Sequence, residues 1–200
     1  MSAVQHLATD QTSQQSEVRA SRAIGAIFFT VFGAAWLVLW CLQVYGAALG
    51  VLLIIVAAGV GLLLLSSAQF RRNRSAYRAN QGTPRRLRQS RAFNIINAAQ
   101  WAIIIVGASV LTKLNQSIWI MPFVIFTIGA HFIPVGVVFK SKARYVIGIA
   151  LMLVALVYPH LTDAGPASSS GPFCAGLILW AGAIASLIPY RYGDGAVRNE

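Results

Sequence analysis

Asn94, Asn97 and Gln100 recur every third residue inside a long apolar run, and His131, followed by Pro134, lies in the middle of another. Amides and imidazole can work inside a hydrophobic helix without carrying a charge. They donate and accept hydrogen bonds, and imidazole can also pass a proton. A helical proline leaves the carbonyl four residues earlier, here that of Ala130, without its backbone partner. In a membrane such freed groups must be satisfied internally, and a kink at a ligand site is one use of them. The candidate intramembrane cluster is therefore Asn97, Gln100, His131 and Pro134. Its plainer reading is structural: the amides hold the third and fourth helices together and His131 joins them.

Little else in the chain offers chemistry. The acidic residues are Asp10, Glu17, Asp163, Asp194 and Glu200, and none falls within a predicted span. Paired-carboxylate catalysis and carboxylate-coupled ion movement therefore lack their groups. There is no H-E-x-x-H helix, no G-x-S-x-G elbow and no phosphate-binding glycine loop. Cys41 and Cys174 belong to no C-x-x-C pair or Cys/His cluster, so no metal site and no cofactor is expected. The two cysteines should lie at similar depth, where neighbouring first and sixth helices would permit a disulfide.

The elements that must position these residues are membrane helices. Of 200 residues 57% are hydrophobic and only 10% charged, whereas soluble domains carry about a quarter charged residues. A span needs about 20 mostly apolar residues. Segments 23–45, 47–68, 93–112, 118–139, 144–161 and 172–190 meet that test or come close. The fold class read from them is all-α, a polytopic bundle of six transmembrane helices built as three hairpins across 23–190. A polar tail, 1–22, precedes the bundle and a short tail, 191–200, follows it. Gly46-x-x-x-Gly50, Ala57-x-x-x-Gly61 and Gly182-x-x-x-Ser186 have the small-residue spacing of close helix contacts.

Orientation follows from the basic residues. Fifteen of the sixteen Lys and Arg residues fall on one side of these spans and Lys113 alone on the other. Lys and Arg gather in cytoplasmic loops, so the basic side and both termini are expected in the cytoplasm. Topology thus accounts for a net charge of +11, and no nucleic-acid partner is inferred from it. The 70–91 loop holds Arg71, Arg72, Arg74, Arg78, Arg85, Arg86, Arg88 and Arg91. These are candidate contacts for anionic lipid headgroups, which attract basic side chains by about 1 kcal/mol each near the surface.

The stretch Gly129-Ala130-His131-Phe132-Ile133-Pro134, continuing through Lys140 to Tyr145 and Gly148, resembles a segment of small uncharacterised bacterial six-helix inner-membrane proteins. Those proteins carry a His-Phe-x-Pro element in a middle helix, then a basic turn and another hydrophobic helix. A small and a basic residue usually follow the proline closely. Gly136 fits the first, whereas the basic residue waits until Lys140. The resemblance implies a bacterial inner-membrane setting and a role for His131 and Pro134.

These features point to a non-enzymatic membrane protein, either a transporter-like carrier or a subunit with a membrane protein partner or a second copy of itself. The alternatives are an intramembrane enzyme using His131 and a purely structural protein. The His131 ring should face the bundle interior and meet Asn97 or Gln100. For the topology, a single cysteine at position 80 should react with an impermeant thiol reagent only after the cells are opened. Labelling of intact cells from outside would overturn the orientation.

Overall fold

The computed structural model describes residues 2–79 and 82–188, with side chains from Gln15 onward apart from Ala76. The tail 191–200, with Arg191 and Arg198, lies outside the described residues. Six long helices follow one another: α1 (Ser2–Tyr45), α2 (Leu49–Ala79), α3 (Pro84–Lys113), α4 (Ile120–Phe139), α5 (Lys142–Leu161) and α6 (Ser170–Leu187). All six are long and apolar enough to cross a membrane. No strand occurs among the described residues.

The helix ends differ from the expected loops. The polar segment 2–22 is continuous with α1, and most of 70–91 is helix rather than loop. Arginine, glutamine and serine are compatible with helix, so loss of hydropathy does not end one. The break comes at Gly82-Thr83-Pro84, where Thr83 is extended at φ −70° and ψ 143° and Pro84 opens α3. Proline suits the first helical turn because its missing N–H would have no intrahelical partner there. The extra length of α1, α2 and α3 all lies at the basic end, beyond the ends of α4, α5 and α6.

Two turns fix the middle of the chain. Asn115 and Lys140 both adopt positive φ, 57° and 49°. After each, the chain closes back on the helix it leaves, Gln116 N–H donating to the Leu111 carbonyl at 2.8 Å and Ser141 N–H to that of Gly136 at 3.0 Å. This left-handed cap satisfies carbonyls that have lost their helical partners. Beyond the second turn α5 starts at once, which fixes the position of Arg144. Between the two turns α4 runs unbroken through Pro134, which is exposed.

The core gathers four helices. Ala26 and Phe29 of α1, Ile125 of α4, Leu151 and Ala155 of α5, and Leu179 and Ala183 of α6 form its buried centre. Helix α1 packs on α2 and α6, α4 on α3 and α5, and α5 on α6. Glycines allow the closest approaches. A Cβ at Gly129 would sit 2.7 Å from the Gly148 carbonyl oxygen, and one at Gly148 would sit 2.7 Å from that of Gly129. On the other side Gly33 and Gly176 bring α1 against α6, where the Trp180 indole donates to the Thr30 carbonyl at 3.1 Å.

The small-residue spacings in α2 serve a different purpose from the one their pattern suggests. Gly46 has φ 61° and makes the turn, while a Cβ at Gly50 or Gly61 would meet nothing within 4 Å. Gly182 is a true contact, pressed by Ile147. Cys41 and Cys174 are free thiols, although the rings of Trp40 and Phe173 meet beside them, tilted, with centroids 4.7 Å apart.

Helices α2 and α3 are appended to this core. Helix α2 joins it through Ile55 against Leu37 and Cys41. Helix α3 packs on α4 alone among the long helices, and none of its residues is buried.

Gly148→Ala should lower the thermal midpoint in detergent by the equivalent of about 1–3 kcal/mol, because the methyl meets backbone that cannot rotate away. Gly61→Ala should not lower it. Equal effects in the two variants would show that the α4–α5 contact is not the tight one.

Candidate functional site

Helices α1 and α3 do not pack against each other, and the space between them is a cleft of about 970 Å³ floored by α4. That volume lies near the upper end of ligand sites, which run from about 300 to 1,000 Å³. Its walls are aromatic and aliphatic, with Phe28, Phe32 and Trp36 on α1, Trp101 and Ile104 on α3, and Ile128 and Phe132 on α4. Asn97, Gln100 and His131 line the same cleft. Pro134 does not line it, and Asn94 is exposed on another part of α3.

The helix register explains which residues meet. Phe93 on α3 stands against Phe139 on α4, their ring centroids 6.1 Å apart, and against His131 at 6.3 Å. His131 and Phe139 are eight residues apart, about 12 Å along α4, so Phe93 sits between their levels and bridges them. The backbone of Ile96 lies against the imidazole. His131 Nδ1 is buried and has no hydrogen-bond partner. Neither Asn97 nor Gln100 has a side-chain hydrogen bond to another described group. The three side chains share a cavity without bonding to one another, so the reading of the amides as links between α3 and α4 fails on geometry. Buried polar groups are nearly always paired in folded proteins, and convergent unpaired ones mark a place for a ligand's polar atoms.

The basic end of the cleft is tied shut by side chains that sequence reasoning passed over. Arg86 donates from Nη2 and Nε to Glu17 Oε1 at 2.7 and 3.2 Å, joining α3 to α1. The same guanidinium lies over the Tyr77 ring of α2, 4.5 Å from its centroid. Gln89 donates to the Val138 carbonyl at 3.2 Å, joining α3 to α4. Glu17 thus sits on a helix and does structural work at its polar end. No local pattern signals a partner that lies 69 residues away.

Of the eight arginines proposed as headgroup contacts, all but Arg86 are exposed. Arg71, Arg72, Arg74 and Arg78 ride on the end of α2, and Arg85, Arg88 and Arg91 on the start of α3. Arg144 was counted with the topology signal, yet it lines the cleft, with its Cζ 4.3 Å from the centroid of the Phe139 ring. Among the described residues no group of His, Cys, Asp and Glu is placed to hold a metal ion.

His131→Leu should leave the thermal midpoint unchanged or raise it. An unpaired buried polar atom costs about 1–3 kcal/mol, and leucine removes it while filling similar space. A fall of several degrees would instead make the ring a structural tie between α3 and α4.

No protein-family model, curated protein or solved structure matches this chain, over the His131–Pro134 stretch or elsewhere, so a functional reading rests on the cleft itself.

Proposed function

We propose that this chain is a small non-enzymatic protein of the bacterial inner membrane that holds an amphipathic molecule in the α1–α3 cleft, as a transporter-like carrier does. One observation carries the reading: a cavity of about 970 Å³ joins unpaired polar side chains to aromatic walls, between two helices that do not pack together. A ligand that is itself part polar and part apolar matches both linings. The cleft lies between two spans, so such a ligand would enter from the membrane.

The setting has its own support. Six sufficiently long apolar helices fit three in–out–in hairpins across a bilayer. The spans read from the sequence put fifteen of the sixteen basic residues at one end, which favours a cytoplasmic position for that end and for both termini. The arginines from Arg71 to Arg91 would then stand among cytoplasmic lipid headgroups.

A membrane partner subunit is the second reading, favoured by the apolar face of α3, where Ile95, Ile103, Ile105 and Val106 are all more than half exposed. Lipid covers such a face equally well, because hydrocarbon is as apolar as the side chains. Hydrocarbon would leave Asn97, Gln100 and His131 in the cleft unmatched, and so the carrier reading stands first.

A photoreactive monoglyceride, added to the chain in non-ionic detergent, tests it. Light should attach the probe to the parts of α1 and α3 that face each other. Ala35 is exposed and lines the cleft. Ala35→Phe should cut that labelling by about tenfold, the equivalent of about 1.4 kcal/mol. Labelling spread evenly over the outer faces of α2 and α3, and indifferent to Ala35→Phe, would sink the carrier reading.

A further inference from the structure

A second, smaller pocket adjoins the basic end of the cleft. It measures about 100 Å³ and is lined by Arg22, Arg144, Ser141 and Ser186 together with Gly25 and Phe29. Gly25, Phe29 and Arg144 line both spaces, so the two adjoin at these residues. A single water needs only about 10–15 Å³ of such space, so a carboxylate or a phosphate has room.

The chemistry of the lining selects an anion. Two guanidinium groups face the pocket and no carboxylate lines it. Arg22 is held by its Nη2, which donates to the carbonyls of Ala185 at 2.7 Å and Ile188 at 3.1 Å at the end of α6. Those bonds use one nitrogen of the fork and leave the others available. Arg144 lies over Phe139, a contact that occupies the face of the guanidinium and leaves its in-plane N–H donors free. Its Nη1 is buried and has no hydrogen-bond partner. The Glu17 carboxylate is bonded to Arg86. Ser141 stands at the N-cap of α5, but its hydroxyl makes no capping bond. A buried donor on a cation is costly to leave unmade, and a charged acceptor gives it the strongest bond available.

Resting on the cleft as a ligand site, we propose that this pocket receives the anionic headgroup of a lipid, a carboxylate or phosphate, whose chain lies in the cleft. The two spaces divide the labour. Arg22, Arg144 and Ser141 take the charge at the level where α5 begins and α6 ends, which is the depth of headgroups. The Ser186 hydroxyl instead donates to the Gly182 carbonyl at 2.8 Å. Phe28, Phe32, Trp36 and Trp101 take the hydrocarbon. Because the two spaces adjoin at Gly25, where there is no side chain, one molecule can place its head in the first and its chain in the second.

Three photoreactive probes of one chain length separate the possibilities: a monoglyceride, a fatty acid and a lysophosphatidate. In non-ionic detergent the two anionic probes should label the cleft at concentrations about tenfold below the neutral one, the equivalent of about 1.4 kcal/mol. Arg144→Gln should bring that ratio close to one, and Arg144→Lys should restore part of it. Gly25→Leu gives an independent check, because a Cβ there meets nothing within 4 Å and the fold should accept it. Leucine between the two spaces should also abolish the anionic preference. Equal labelling by all three probes in the native chain would overturn the headgroup assignment while leaving the cleft as a ligand site. Inorganic phosphate that erased the preference at millimolar concentration would assign the pocket to a free anion rather than a lipid. Failure of every probe to label the cleft would remove both readings together.

Discussion

Where Gly129 meets Gly148, and where Gly33 meets Gly176, helix backbones lie nearly against one another, and the rest of the bundle is arranged around these approaches. Between helices in hydrocarbon no hydrophobic force draws apolar surfaces together, since lipid tails are as apolar as leucine. Association then depends on van der Waals fit and on a few hydrogen bonds, and glycine gives the closest fit. Helices α4 and α5 are drawn together by the first approach and α1 and α6 by the second. The side chains of all four converge on Leu151 and Leu179. Helix α3 has no such contact with α1. A Cβ at Gly107 would run into the Phe123 ring of α4, so α3 is seated on α4 only. The cleft is the space left when four helices pack tightly and a fifth packs on one neighbour.

Much of this was legible in the sequence and some was not, for reasons that can be named. Hydropathy found the six helices because a bilayer imposes length and apolarity on each one separately. It misplaced their ends because residues such as Arg71 to Ala79 are polar and helical at once, and polarity reports solvent rather than backbone. The breaker was present at Gly82-Thr83-Pro84 and was the better guide. The small-residue motifs in α2 misled, because spacing says that a close contact is allowed and not that a partner is there. Gly129 and Gly148, which do the packing, belong to different helices and form no local motif.

The candidate cluster divides in the same way. Periodicity put Asn97 and Gln100 on one face of α3 and level with His131, and all three do line one space. Sequence could not show that they would fall short of hydrogen bonding, because that depends on how far α3 stands from its neighbours. Arg144 and Arg22 were absorbed into a count of basic residues. A count that explains topology cannot also say which arginine is buried with an unmet donor. Such a donor is visible only once α4 turns at Lys140 and starts α5 beside the end of α6.

Helix α3 has a mechanical character that follows from its few attachments. It contains 30 residues without a buried one, is held at one end by Arg86 on Glu17 and at the other by the tight turn through Asn115. Along its length it also rests on α4, from Gln89 and Phe93 to Gly107. It is a beam seated on one edge, and a beam so held yields by rolling about its seat rather than by sagging between its ends. Whatever fills the cleft therefore presses on the free edge of its wall. Cutting the Glu17 tie leaves the seat in place and frees that edge to roll away from α1.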